Sequence, residues 1–351
     1  MAETVREPES AVPPRTETAL TRRRRAGIRL SGHRLFTLRE GTSRFALVGV
    51  WMLLIVLFWA LRSNTFMTGS TFQSIFSSQQ VLVFLTASLL CTIIVGEFVD
   101  LSVPSVLSLA ATVLPVLAAQ HGWSVWLASL AAIGVCLLVG CVNGVLIVYM
   151  GVNTIVVTLG MSTFLLGVEL LISHSNYVTG LDPGFAKIDL ANVGPLPVSF
   201  YYCIALMLIF AYVLGCTPLG RHMRFVGSNR EVSRLAGVRV NRIRFGAFLM
   251  ASLIAGFGGV IAAAGLGGFN ATVSATYLLP TFAGVFLGTA AFQPGRFNPV
   301  GTWIAIYFLE TGIFGLELLG AGQWVADVFY GGVLVIAVAL STFVRKTLTA
   351  R

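Results

Sequence analysis

The sequence predicts an all-α membrane protein that crosses the bilayer roughly ten times. Hydrophobic residues make up 56% of its 351 residues and charged residues only 11%, whereas soluble domains carry about 25% charged residues. Apolar runs recur along the chain at close to the length of about 20 residues that one helix needs to cross a bilayer. Arginines cluster in segments between these runs, which is typical of the cytoplasmic loops of membrane proteins.

The apolar runs define the candidate spans. The fourth run is long, which predicts a tilted or broken helix, and the second and eighth contain many polar or small residues. In chain order the runs are 45–61, 73–95, 103–119, 124–149, 153–173, 199–216, 245–267, 278–292, 299–316 and 324–344.

The remaining parts of the chain are polar. Residues 1–44 are rich in Pro, Thr, Glu and Arg and lack apolar periodicity, so we expect a disordered basic cytoplasmic tail. Residues 45–344 then form the transmembrane domain, and residues 345–351 form a short cytoplasmic C-terminal tail.

The positions of the basic residues predict an orientation. If the arginine-rich tail is cytoplasmic, every segment after an even number of spans is cytoplasmic as well. The basic segment 217–244, the loop with Arg296 and the C-terminus follow the sixth, eighth and tenth spans. The outer loops hold only Arg62 and Lys187 as basic residues. Both termini are therefore predicted to face the cytoplasm.

Two larger features follow from this arrangement. Spans 2–5 and 7–10 are blocks of four spans separated by one span, so they run in opposite directions, as expected of an inverted repeat. The longest predicted outer loop, 174–198, contains Gly, Pro and Asp and is expected to form ordered turns. It either covers the outer mouth or docks a partner, or it is an ordinary connector, and both interpretations remain open.

Motifs for nucleotide hydrolysis and metal chemistry are not found in the sequence. No G-x-x-x-x-G-K-[ST] is present, and the two lysines, Lys187 and Lys346, follow no glycine-rich turn. The four histidines are scattered. We therefore expect no catalytic residue, no metal and no cofactor in this chain. The net charge of +9 is concentrated in a few segments, so a nucleic-acid partner is not expected.

The basic segment 217–244 carries a helix signal as well as charge. Ser228 and Glu231 fit a capping box, and Gly237 fits a helix stop, which predicts a short helix over roughly 229–236. Its apolar face would consist of Val232, Leu235 and Ala236. Because a helix of two turns is marginal in water alone, this segment either docks into a groove of another protein or is a solvated loop facing lipid headgroups.

Several motifs together resemble a known family. The sequence GSNREVSRLAGV at 227–238 resembles the cytoplasmic loop of permease subunits of bacterial ATP-binding-cassette importers of the ribose, xylose and arabinose class. DLSV at 100–103, VNGV at 142–145 followed by TLG at 158–160, and the glycines near 288–302 resemble other family segments. The resemblance covers about residues 70–344. The chain departs from the family at 97–99, where Glu-Phe-Val replaces Gly-Gly-Ile, and at 104, where proline replaces glycine.

The resemblance implies that ATP is hydrolysed by a separate cytoplasmic ATPase subunit. It also implies an extracytoplasmic solute-binding protein, a second permease subunit, a location in the cytoplasmic (inner) membrane, and a monosaccharide or related small polar solute. The contact with the ATPase would be made by Ser228, Asn229, Arg230, Glu231, Val232, Arg234, Leu235, Ala236 and Gly237.

Polar residues within or beside the spans are candidates for the translocation pathway, because such groups are costly in a membrane and usually face a cavity or a partner. Asp100 suits either a cytoplasmic gate or a helix start together with Ser102. A stripe of hydroxyl groups on span 5 suits either contact with a sugar or packing between helices. The candidates are Asp100, Ser102, Asn143, Asn153, Thr154, Thr158, Ser162, Glu169 and Glu310.

Two other functions are compatible with the residues alone. A stand-alone secondary transporter would use Glu97, Asp100 or Glu310 to carry a coupling ion. A membrane scaffold would use the basic segment to recruit cytoplasmic proteins or anionic lipid. A requirement of uptake for an added ATPase and internal ATP would separate the importer from the secondary transporter.

Overall fold

The computed structural model describes residues 45–292, 295–322 and 324–349, with side chains described for all of these except 64 and 340–349. This part of the chain is almost entirely helical, which confirms the all-α prediction. Eight of its helices or helix pairs are long and apolar enough to cross a membrane. Two shorter apolar stretches, Ala46–Leu61 and Trp324–Ala339, correspond to the first and tenth predicted spans.

The first half of the transmembrane domain contains seven helices. The second predicted span is interrupted near Ser78, so that it consists of α3 and α4. The helices are α1 (Ala46–Leu61), α2 (Ser63–Phe66), α3 (Gly69–Ser77), α4 (Gln80–Ile94), α5 (Val103–Pro115), α6 (Val125–Gly144) and α7 (Thr154–Ile172).

Two of these helices change their winding before they end. Helix α5 continues as a π-helical turn over Val116–Gln120, and α6 continues as one over Val145–Tyr149. Pro115 marks the change in α5, because proline lacks the amide proton that a regular α-helix requires there. The sequence predicts a tilted or broken fourth span; α6 and its π-helical turn form one continuous span over Val125–Tyr149, so its winding changes without an interruption.

The second half follows helix α7 and includes a loop with three short strands and one short helix. A turn of 3-10 helix, Ala271–Tyr277, precedes α13 and lengthens the eighth predicted span at its start. The helices are α8 (Lys187–Leu190), α9 (Val198–Cys216), α10 (Pro218–Ser228), α11 (Arg230–Leu235), α12 (Val240–Leu266), α13 (Leu278–Gly288), α14 (Pro299–Leu318) and α15 (Trp324–Thr349).

Helix α12 lies at the centre of the bundle and packs against α4, α5 and α6. Close approach depends on glycine: a Cβ atom at position 259 would lie 2.2 Å from the carbonyl oxygen of Leu107 on α5. Small residues permit such contacts between membrane helices, whose association relies on packing rather than on the hydrophobic effect. The glycine-rich sequence of α12 therefore allows this helix to pack closely against its neighbours.

Four strands of two residues each lie in the described part of the chain: β1 (Val178–Thr179), β2 (Asn192–Val193), β3 (Leu196–Pro197) and β4 (Gly268–Phe269). Strand β1 pairs antiparallel with β4, with Val178 opposite Phe269, and β2 pairs with β3. The first pair ties loop 174–198 to the end of α12, which confirms that this loop is ordered. The inverted relation between the two halves stays a prediction.

Candidate functional site

The basic segment 217–244 folds into two helices before α12 begins, and we call it the coupling segment. Its first helix, α10, was not expected from the sequence. Thr217 caps α10 by accepting a hydrogen bond from the amide of Gly220 at 3.3 Å, and Pro218 occupies the first helical position. Met223 and Val226 are buried on its inner face, while Arg221 and Arg224 are exposed. A Thr-Pro pair at a helix start is the signal that could have predicted it.

The second helix, α11, is capped by Asn229 and not by Ser228, so the predicted capping box is wrong. The Asn229 side chain accepts hydrogen bonds from the amides of Glu231 and Val232, both at 3.0 Å. Ser228 is the last residue of α10, and its hydroxyl donates to the carbonyl oxygen of Phe225 at 2.8 Å. Because Ser228 still belongs to α10, it does not serve as the N-cap of α11. Glu231 lies in the first turn of α11, and its side chain does not reach back to Ser228.

The end of α11 is as the sequence predicts. Gly237 has a φ of +80°, a conformation that glycine adopts without strain. The amide of Val238 donates to the carbonyl of Ser233 at 3.0 Å and that of Gly237 to the carbonyl of Arg234 at 3.0 Å. This pair of bonds is a Schellman motif, which satisfies carbonyl groups that the helix end leaves unpaired. Helix α11 is thus closed at both ends.

The two faces of α11 differ sharply in burial. Ser233 is fully buried, and its hydroxyl donates to the carbonyl oxygen of Asn229 at 2.8 Å. The predicted apolar face points the other way: Leu235 is 88% exposed and Val232 is 47% exposed. Ala236 is exposed beside them, as is Arg234. The helix therefore presents its apolar residues outward from the described part of the chain.

The backbone of α10 lies directly against the backbone at the end of α4. A Cβ atom at position 227 would lie 2.0 Å from the carbonyl oxygen of Ile94, so only glycine fits. This contact brings the coupling segment to the junction between α4 and α5, which spans residues 95–102.

Glu97 lies in that junction and is only 4% exposed. Both salt bridges found among the described side chains meet at its carboxylate. The Nη2 atom of Arg230 lies 2.7 Å from Glu97 Oε1. The Nε and Nη2 atoms of Arg244 lie 2.7 Å and 2.5 Å from the same oxygen. The Thr154 hydroxyl donates to the other oxygen, Oε2, at 2.7 Å. We call these four residues the Glu97 cluster.

A second polar group lies beside the cluster. Asp100 is 2% exposed and accepts hydrogen bonds from the amide and the hydroxyl of Ser102, at 3.1 Å and 2.7 Å. The Asn143 side chain on α6 donates to the Ser102 hydroxyl at 3.0 Å. Burial raises the pKa of Asp100, and the bonds from Ser102 oppose that shift. Ser102 precedes α5 as its cap residue, but its side chain bonds Asp100 instead of the helix.

The polar stripe on α7 faces α5. The Ser162 hydroxyl bonds that of Ser105 at 2.8 Å, and the fully buried Glu169 accepts a hydrogen bond from Ser108. Thr158, also fully buried, donates to the carbonyl oxygen of Thr154 at 2.8 Å. These bonds join helices or satisfy backbone groups, which favours the packing interpretation of the stripe.

Two further candidates lie apart from these groups. Asn153 caps α7 by accepting a hydrogen bond from the amide of Ile155 at 2.9 Å. Glu310 on α14 lies 3.5 Å from the hydroxyl of Ser78, which donates to it, at the break between α3 and α4. The structure thus brings Asp100, Ser102 and Asn143 together, and it leaves Asn153 and Glu310 separate from them.

The fold and these motifs match a known family. Residues 71–338 match the family described as the permease component of branched-chain amino acid transport systems. The chain belongs to this permease family. No solved structure matches the chain closely enough to add to this assignment.

Several relatives of the permease are components of import systems. The autoinducer 2 import system permease protein LsrC of Salmonella typhi is 27% identical over 296 residues, covering 84% of this chain and 83% of that protein. LsrD of Escherichia coli strain K12 / DH10B is 30% identical over 268 residues, covering 75% and 81%. The D-allose transport system permease protein AlsC of Escherichia coli strain K12 is 25% identical over 294 residues, covering 84% and 90%. The chain is accordingly a multi-pass permease subunit of this importer class.

Sequence reasoning missed the central residue of the permease site. The sequence marks Glu97 as an ionisable group but does not pair it with the coupling segment. Arg244 belongs to the arginines that predict only the orientation of that segment in the membrane. The signal was a charge imbalance: seven arginines between residues 220 and 244 face a single acid, Glu231. A buried acid elsewhere at the same end of the bundle is the natural complement of such an excess.

Proposed function

We propose that this permease forms the membrane pathway of an ATP-driven importer and that its coupling segment binds a separate ATPase subunit. The solute would be a monosaccharide or a related small, neutral, polar molecule. ATP would be hydrolysed in the partner, since the sequence lacks a phosphate-binding loop.

The outward-facing apolar strip of α11 carries this proposal. A helix of six residues is too short to be stable by itself. Here it is capped at both ends and attached through Arg230 to the buried Glu97, yet Leu235 remains 88% exposed. An exposed leucine on a short, firmly held helix fits insertion into a groove of a partner.

The arrangement in the membrane follows from the basic residues. We place the coupling segment and both termini in the cytoplasm, because the basic segments then all lie on one side. The membrane would be the inner membrane of a bacterium. An external solute-binding protein and a second permease subunit, identical or different, would complete the importer.

The relatives and the charges of the spans support a neutral solute. Relatives are permeases of import systems for autoinducer 2 and D-allose. Among the eight long spans, lysine and arginine occur only in the first two turns of α12, as Arg242 and Arg244. A zwitterionic amino acid would find no basic side chain for its carboxylate deeper in the membrane, whereas a sugar hydroxyl needs only hydrogen-bond partners.

Co-purification of the ATPase tests the contact with α11. We expect the double variant Val232→Asp and Leu235→Asp to lose the ATPase during purification, because two charges would enter an apolar groove. Asn241→Asp is the matched control: it adds a negative charge to an exposed position of the same segment, at the start of α12 where a helix tolerates it. Unchanged co-purification of the double variant would contradict the assignment of this helix.

The solute is tested by uptake into proteoliposomes that contain the permease, the ATPase and the binding protein. We expect ATP-dependent uptake of radiolabelled D-allose or another aldose and no uptake of L-leucine. Uptake of leucine alone would contradict the proposal of a neutral solute, and uptake without added ATPase would contradict the importer mechanism.

A further inference from the structure

One carboxylate connects four separate segments of the permease. Glu97 lies in the junction between α4 and α5. Arg230 is the first residue of α11, Thr154 is the first residue of α7, and Arg244 lies near the start of α12. The partners are 57, 133 and 147 residues away from Glu97 in the sequence. The carboxylate therefore links α11 to two membrane helices, α7 and α12.

The two oxygens of this carboxylate have different partners. Oε1 accepts hydrogen bonds from both guanidinium groups, so this oxygen links Glu97 to the coupling segment and α12. Oε2 accepts the hydroxyl of Thr154, so it belongs to α7, the helix that bears the polar stripe. Because a carboxylate is rigid and planar, a displacement of the group by Arg230 must also displace the acceptor of Thr154.

Arg230 is suited to transmit such a displacement. Its Nη2 atom donates to Glu97 at 2.7 Å and also to the carbonyl oxygen of Gly96 at 2.9 Å. The guanidinium thus holds both the backbone and the side chain of the junction. Glu97 cannot easily release it, because a buried carboxylate that loses a cationic partner is strongly destabilised.

We propose that Glu97 is a positioning residue that transmits movement of α11 to the start of α7 and to the α4–α5 junction. The inference rests on the proposed function, in which the ATPase moves α11. Its role is distinct from binding of the ATPase, because the Glu97 cluster lies on the inner side of the coupling segment and the apolar strip of α11 points outward. Loss of the cluster should therefore leave the ATPase bound but separate ATP hydrolysis from uptake.

The test uses the complete importer in proteoliposomes and measures the ATP hydrolysed per solute molecule taken up. We expect Arg230→Gln to raise this ratio at least fivefold, and Arg244→Gln, which lies outside the predicted ATPase contact, to raise it with ATPase co-purification unchanged. Thr154→Val, which removes only the bond to Oε2, should raise it about twofold to threefold. Arg230→Lys should recover part of the coupling because it restores the charge without the planar guanidinium.

Arg242→Gln is the matched control, since Arg242 is exposed on the same early turns of α12 as Arg244, whose side chain is 12% exposed. We expect its ratio to equal that of the parent, whereas Arg244→Gln should behave like Arg230→Gln. Thr154→Val keeps every charge of the cluster and therefore provides a measurement even where an arginine variant fails to fold.

Two results would overturn the inference. One is a parental ratio in both Arg230→Gln and Thr154→Val. The other is loss of ATPase binding in Arg244→Gln, which would make the Glu97 cluster a support for the docking helix rather than a transmitter. Failure of the parent itself to bind an ATPase would instead contradict the proposed function, so the two failures are distinguishable.

Discussion

The coupling segment and loop 174–198 lie at opposite ends of helix α9, and they differ in how far their most exposed apolar side chain is exposed. In the loop, Val178 is 3% exposed and Phe185 is 5% exposed. In the coupling segment, Leu235 is 88% exposed. Both segments are ordered and anchored to the bundle, so the difference does not come from loose packing. The loop also has Leu190 and Val193, which are 54% and 52% exposed, and the coupling segment also has the buried Val226. No large apolar side chain of the loop, however, is as exposed as Leu235.

The means of attachment also differ. Loop 174–198 is attached by the pairing of β1 with β4 and by α8, which packs against α12. The coupling segment is attached by the Glu97 cluster and by the glycine contact at position 227. The strand pair holds the loop through backbone hydrogen bonds, whereas the Glu97 cluster and the glycine contact both hold the coupling segment at the end of α4 and the junction that follows it. Attachment at one place along the bundle allows a segment to act as a lever, and attachment at separate places suits a cover.

The largest expected effect is on the attachment of the coupling segment. In Gly227→Ala the new Cβ atom would lie 2.0 Å from the carbonyl oxygen of Ile94, so α10 must move away from α4. We expect solute uptake to fall at least tenfold. Gly246→Ala is the control, because no atom lies within 4 Å of its new methyl group. Uptake of the Gly227 variant within twofold of the parent would show that this position of α10 is not needed.

The second prediction compares stability at the two ends. Phe185→Ala leaves a cavity in a buried cluster and should lower the free energy of unfolding by about 3 kcal/mol. Leu235→Ala removes an exposed side chain and should change it by less than about 0.5 kcal/mol. Thermal unfolding of the purified permease measures both. A comparable loss in Leu235→Ala would mean that the apolar strip of α11 packs within the permease and is not free for a partner.

The sequence predicted the spans well, because hydropathy depends only on local composition. It placed the eight long spans and the two shorter apolar ones to within about five residues, except that the eighth begins at Ala271 and not at residue 278. It missed α10 because arginine-rich segments were read as loops, although Met223 and Val226 gave the helix a buried face. It chose the wrong cap for α11 because Ser228 and Asn229 are both good capping residues and stand side by side. The extension of α10 through Ser228 decided between them.

The Glu97 cluster could not be predicted in the same way. Its bonds join residues between 57 and 147 positions apart, and no local pattern encodes such a contact. The sequence singles out the polar candidates because polar groups in apolar runs are conspicuous, and their place in a translocation pathway stays a prediction. Their mutual bonds, such as that between Ser105 and Ser162, depend on which faces of α5 and α7 meet. That information appears only when the helices are packed.

The smallest expected effect concerns a buried acid under loop 174–198. Asp189 on α8 is 1% exposed and accepts a hydrogen bond from Gln80 at 3.3 Å, while its Oδ1 atom has no partner among the described groups. Burial raises the pKa of Asp189 above its ordinary value, and the neighbouring Ser199 hydroxyl and Gln80 amide oppose this shift. The folded protein therefore binds this proton more tightly than the unfolded chain does.

The sign of the pH dependence follows from that difference. The contribution of Asp189 to the free energy of unfolding is greatest below its unfolded-state pKa of about 3.9. This contribution falls as the pH rises towards the raised folded-state pKa. Asp189→Asn cannot ionise, so its thermal midpoint should fall less than that of the parent over this pH range. Asp182→Asn in the same loop is an exposed control and should keep the parental dependence. Parallel curves of thermal midpoint against pH for the parent and the Asp189 variant would mean that loop 174–198 admits water to this site. The loop could then not be described as a closed cover in contrast to the coupling segment.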